Sequence, residues 1–371
     1  MRWAALLLVS STAAAAPAFV PQRAVVVGRV DDGAWTDAAT EARSDQRAEL
    51  AAIVIGTRGG KRVVLAPDGV TRVNLEGRVV TPEQLGAATL SWFAVEPHGF
   101  RDAKAKNGAT SDFYSNVSTE TKNFGHWLGY DHIDYFERAL APTTPTITAV
   151  IDSPEAQLAG LGTLRFKVDV EVAGTHVASA GAEATDTFGI TAAVHRVSIR
   201  NGDDFLGWMT SYLLVPEVFG SAGPGKNHQT ERFTGADCAD IMVGAIRRSG
   251  RTDLAYTNVA GLPGYSTPVA GSVAVDKTGT PEHPITGVAR GDLIRIDYGG
   301  ELAHHTNRDW DHVVALWEDK SDPNGPDHGR ADGKLDGFDL VIHMGHPRLV
   351  IEPLAKQAPA TVDVWRWKRK T

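Results

Sequence analysis

A single cysteine, Cys238, stands among the 371 residues of this chain. One thiol forms no disulfide within the chain, so no covalent staple supports the fold. In an exported protein a leftover thiol points to an intermolecular bridge or a reactive group, the plainer alternative being an inert buried cysteine. A lipid-anchored precursor needs a cysteine at its cleavage point, so no lipid anchor is expected. Long apolar runs are also missing. Ala4-Ala-Leu-Leu-Leu-Val9 falls well short of the roughly 20 residues of a membrane-spanning helix, and no later run is longer, so no integral membrane segment is expected in the mature chain. Positive charge is in deficit as well. The 37 Lys and Arg against 45 Asp and Glu leave a formal charge of −8, whereas a nucleic-acid partner wants a basic face.

The first residues follow the order of a secretory signal: Arg2, the short apolar run, then small residues up to Ala16-Pro17-Ala18. Residues 1–18 are thus expected to be a signal peptide cut after Ala18, and the mature protein to be periplasmic or extracellular. The length predicts two or three domains. From 24 to 90, short β-branched runs such as Ala24-Val-Val-Val27 and Ala52-Ile-Val-Ile55 alternate with Gly and Asp turns, which is strand punctuation. Between them Asp37 to Leu50, rich in Ala, Glu and Arg, is predicted to form one helix. Residues 19–140 form a β-rich region of no legible role, and Ala141-Pro-Thr-Thr-Pro145 reads as a boundary. A small β module over 141–203 follows, in which Leu164, Phe166, Val168, Val170 and Val172 recur with period two. From 204 to 371, helices come first and antiparallel strands after, an α+β order.

The chemistry gathers in that last segment. Gly235 to Gly250 reads as a helix with an acidic start, Arg247 and Arg248 in its last turn and Gly250 as its stop, with Cys238 in the first turn. Unpaired backbone N–H groups and the positive end of the helix dipole lower a thiol pKa there. A thiolate nucleophile needs a proton acceptor that later protonates the leaving amine, and His312 heads the strand-like run Asp311-His-Val-Val-Ala-Leu-Trp-Glu-Asp319. A third polar group should fix the imidazole tautomer. His343, in the strand pattern Phe338-Asp-Leu-Val-Ile-His-Met344, leads over His346 and Asp311.

These residues resemble the NlpC family of cell-wall peptidases, within the papain-like thiol hydrolases, over about residues 204 to 371. Pro216-Glu-Val-Phe-Gly220 looks like the family's aromatic-glycine motif, Asp237-Cys238 like its nucleophile pair and Gly291-Asp-Leu-Ile-Arg295 like its turn into the sheet. His312 matches its base, and Val341-Ile-His343 the strand bearing its third polar residue. The resemblance implies a papain-like domain, with a nucleophile helix packed on an antiparallel sheet behind β-rich N-terminal modules. It implies cleavage of peptide or amide bonds by Cys238, His312 and His343 on a peptide or peptidoglycan-derived substrate, with no cofactor and no metal. The alternative is a secreted peptide- or wall-binding protein that has lost catalysis. Two departures bear on substrate: Glu217 stands where the family often has tyrosine, and Ala239 where it usually has serine.

Two metal readings are weaker. Asp319 to Asp339 offers carboxylates among glycine turns, but its spacing does not match a calcium-binding EF-hand loop, and a solvated Asp-turn insertion is the expectation. His304 and His305, next to one another, point to opposite faces of a strand and do not readily share a zinc ion with Asp311 and His312.

Overall fold

The computed structural model describes residues 17–97, 114–115, 133, 135–153, 157–223, 227–299, 310–345 and 348–368. Most of the expected signal segment, the aromatic stretch around Trp127, His304, His305 and His346 lie outside the described residues.

Strand β1 (Phe19–Val30) runs antiparallel to β3 (Ala48–Arg58), from Phe19 opposite Arg58 to Val30 opposite Ala48. Between them in sequence lies β2 (Thr40–Arg43), and β4 (Lys61–Ala66) closes on the far edge of β3. These strands overturn the helix predicted over Asp37 to Leu50. Strand β3 is buried on both faces: Leu50, Ala52 and Val54 enter one core while Ala51, Ile53 and Ile55 enter another. A strand buried on both sides shows no period-two signal, and its alanines then read as helix formers. In β2 the alternation is present, with Thr40 and Ala42 buried and Glu41 and Arg43 half-buried, but four residues are too few to outweigh propensity.

A second sheet runs from Tyr135–Ala139 through β5 (Ala88–Pro97), β6 (Gly162–Val172) and β7 (His195–Arg200) to β2, which joins it parallel to β7. Leu164, Phe166, Val168, Val170 and Val172 of β6 are all buried, on the face their spacing predicts. The chain then forms α1 (Phe205–Thr210), α2 (Gln229–Arg232) and α3 (Cys238–Arg248). The remainder builds a six-stranded antiparallel sheet from β8 (Ser266–Val275), β9 (Leu293–Asp297), β10 (His312–Glu318), β11 (Leu340–Met344), β12 (Leu349–Pro353) and β13 (Ala360–Trp367), in the spatial order β8-β13-β9-β10-β11-β12.

The structure corrects the expected α+β, papain-like fold class. The protein is mostly β, 45% strand and 11% helix, with several sheets and a curled half-barrel. The three α-helices among the described residues fall between Phe205 and Arg248 and are short, six, four and eleven residues. They fill a gap between sheets rather than forming a layer of their own. One continuous core joins Trp92 and Phe166 of the N-terminal strands, Phe205 and Met209 of α1, Ile241 and Met242 of α3, and Val313, Ala315 and Ile342 of the last sheet. The sheet's other face packs Ile294, Ile296, Val314, Leu316, Val341, Val362 and Val364 over Leu335 and Leu354. Polar ties cross the same junction. Glu41 of β2 accepts from Arg196 of β7 at 2.6 Å and from Arg248 of α3 at 3.1 Å, and Arg165 of β6 donates to the carbonyls of Arg232 and Phe233.

Candidate functional site

Asp237 begins α3. With extended backbone (φ −104°) it accepts a hydrogen bond from the N–H of Asp240 at 2.8 Å, capping one of the helix's unpaired donors. Cys238 is therefore the first helical residue. Ile241, Met242, Ala245 and Ile246 are buried in the core, Arg247 and Arg248 occupy the last turn, and Gly250 (φ 115°) turns the chain out of the helix. The helix lies against β10 and β11. This brings the half-buried thiol to the backbone N–H of Val313, one residue beyond His312 at the head of β10.

His312 and His343 meet across neighbouring strands. Nε2 of His312 lies 2.8 Å from Nδ1 of His343, the rings nearly perpendicular at 84°. The hydrogen bond occupies Nε2 of His312, so Nδ1 is the ring nitrogen left to serve the thiol. Among the described residues no hydrogen bond joins that ring to Cys238. Asp311 is turned away, accepting from the N–H of Tyr298 at 2.9 Å. A cavity of about 300 Å³ opens beside the two histidines, lined also by Glu217, Tyr298, Glu352 and Gln357.

Burial dominates the electrostatics. It pushes the Cys238 thiol well above its ordinary pKa, reinforced by Asp237, Asp240 and Glu217, with the Val313 N–H in opposition. Burial, then the neighbouring His343, drives His312 down to about 3. The resting pair is a thiol beside a neutral imidazole. This corrects the expectation that the helix start would hold a thiolate. A helix N-terminus carries about half a positive charge, and here three carboxyl groups stand around it. Their own pKa values move up: burial, then Asp237 beside it, raises Asp240 strongly, and burial, then Asp237, pushes Glu217 up to about 8.

Tyr298, Glu352 and Gln357 were not legible as site residues. Tyr298 follows β9 and stacks over His312, with ring centres 6.3 Å apart, while its hydroxyl donates to Gln357. Glu352 lies on β12, where His343 faces Val350; two residues on, its carboxylate reaches Nε2 of His343 at 3.3 Å. Its signal was period two on the partner strand, which places residues 350 and 352 on the face of His343.

The Asp-rich insertion turns its carboxylates onto its own backbone. Asp319 accepts from the N–H groups of Asp332 and Gly333, and Asp339 from those of Lys320 and Asp336. No group of three His, Cys, Asp or Glu side chains among the described residues is placed to hold a metal ion. Nor is any described helix long and apolar enough to cross a membrane. Compared with protein-family models, curated proteins and solved structures, the chain finds no match.

Proposed function

We propose that this protein is an exported thiol hydrolase acting on peptide or amide bonds, with Cys238 as nucleophile, His312 as base and His343 as the group that orients His312. One observation carries the reading: the only cysteine begins a helix whose start abuts the head of β10, where His312 is hydrogen-bonded to His343 at 2.8 Å on the wall of a cavity. As sulfur attacks the amide carbonyl, the thiol proton passes to Nδ1 of His312. The N–H of Cys238, at the first helical position and without an intrahelical acceptor, is an oxyanion donor. Collapse of the tetrahedral adduct expels the amine, which takes the proton from His312, and water then hydrolyses the thioester. The resemblance of its motifs to those of NlpC-type peptidases supports the reaction class and suggests cell-wall peptides as first substrates. Glu217 and Ala239 set this site apart from the family's usual one.

The test pairs turnover with thiol reactivity in the mature protein. Cys238→Ala is expected to abolish amide hydrolysis, and His312→Ala to lower it by about 10²–10⁴. Alkylation of Cys238 should depend on His312. Hydrolysis that survives Cys238→Ala would overturn the proposal.

A second reading, a peptide-binding protein without catalysis, is favoured by the burial that, reinforced by three neighbouring carboxyl groups, holds Cys238 as a thiol. It is distinguished by saturable peptide binding with no turnover and a thiol that alkylates only at or above the free thiol pKa of about 8.5, in wild type and His312→Ala alike.

A further inference from the structure

The polar chain at the cavity does not end at His343. Nε2 of His343 lies 3.3 Å from Oε1 of Glu352, and Nε2 of Gln357 donates to the same oxygen at 2.7 Å. The Gln357 nitrogen also stands 3.3 Å from Nε2 of His343. A carboxylate only accepts, so the ring nitrogen facing Oε1 of Glu352 directs its hydrogen at that oxygen, as does one of the two hydrogens of the Gln357 amide. With its hydrogen on Nε2, a neutral His343 offers the lone pair of Nδ1 to His312. His312 then carries its hydrogen on Nε2, and the lone pair of its Nδ1 is left for the thiol. The partners thus assign both tautomers in series, starting from Glu352.

We infer that Glu352 is a positioning residue of this thiol site, one that fixes both imidazole tautomers and bears the counter-charge when Cys238 loses its proton. The inference rests on the hydrolase reading above. The step is balanced: the S–H bond of Cys238 breaks as Nδ1 of His312 gains the proton, and the proton on Nε2 of His312 crosses 2.8 Å to Nδ1 of His343. A thiolate and an imidazolium on His343 result, the latter against the Glu352 carboxylate. That carboxylate is held below its usual range, first by the hydrogen bond from His343. Among the described residues, Lys356 next to it, Tyr298 at the end of β9 with Asp311 beside it, Glu217 across the cavity, and Cys238 and His312 are further charged or titratable groups around the cluster. Lys356 favours the ionised form of Glu352.

Glu352→Gln keeps the shape and removes the charge. Hydrogen bonds to charged groups exceed neutral ones by enough that alkylation of Cys238 near neutral pH should slow about tenfold. The rate is followed with iodoacetamide over about pH 6 to 11, and its rise should move to higher pH. Wild type and His312→Ala are run alongside. If alkylation ignores His312, the hydrolase reading itself falls. If it depends on His312 while Glu352→Gln matches wild type in rate and in the pH of its rise, only the role of Glu352 is overturned. Should Glu352→Gln fail to fold, ring ¹⁵N resonances of the unmodified protein decide. Hydrogen on Nε2 of both His343 and His312 is expected, and hydrogen on Nδ1 of the resting neutral His343 overturns the assignment.

Discussion

Glu217 shows how one residue shapes the pH behaviour of the protein. Burial and Asp237 move its pKa from an ordinary 4.5 to about 8, so the folded chain keeps a proton that the unfolded chain gives up. Stability then falls as pH rises between those values, because over that range the folded state binds more protons. His312 acts in the opposite sense: with its folded pKa near 3, stability is lost as pH drops below the ordinary value of 6.5. The two slopes oppose each other below pH 6.5, and above it that of Glu217 stands uncovered. Glu217→Gln is therefore expected to flatten the decline from about pH 6.5 to 8, gaining roughly 1–3 kcal/mol over wild type at the alkaline end in urea titrations. An unchanged pH profile would show that Glu217 is ionised in the folded protein. At this scale Cys238, His312 and His343 could be nominated from the sequence because each stands at a recognisable place, a helix start or a strand. Glu352 could not, because its meaning depends on the register of β12 against β11.

Among the elements, α3 has the clearest division of labour. Its apolar residues anchor it in the core, its C-terminal arginines tie it to Glu231 and Glu41, and its N-terminus presents the thiol. At that N-terminus Asp237 has two opposed effects, capping the helix while setting negative charge beside Asp240 and Cys238. Asp237→Ala is expected to cost about 1–2 kcal/mol by loss of the cap. Asp237→Asn keeps an acceptor and removes the charge, so Cys238 should alkylate at lower pH than in wild type. Denaturant unfolding and the alkylation profile report the two effects separately, and a thiol equally reactive in both proteins would remove Asp237 as the cause. The helix was readable because its acidic start, basic end and terminal glycine agree. The alternating strand β6 was readable for its unbroken period of two. Strand β3 and the overall fold class were not: β3 divides its side chains between two cores, and local pattern carries no information about a sheet packed on each face.

Across the whole molecule, the site stands on a core that the N-terminal sheets help to build. Trp92, Phe166 and Val197 share it with Met209, Met242 and Val313, and Glu41 reaches from β2 to the far end of α3, the helix that begins with Cys238. Residues 204–371 expressed alone are expected to show no cooperative thermal transition and to be cut rapidly by protease, because α1 and α3 would expose their apolar residues. A sharp transition in that fragment would contradict this dependence. The ring of carboxyl groups around Cys238 carries a further consequence for durability. Peroxides attack thiolates far faster than thiols, and with no second cysteine this chain has no partner to trap a sulfenic acid as a disulfide before it is oxidised beyond repair. A cysteine that stays protonated at rest is therefore protected from hydrogen peroxide, by its burial first and by its acidic neighbours after it.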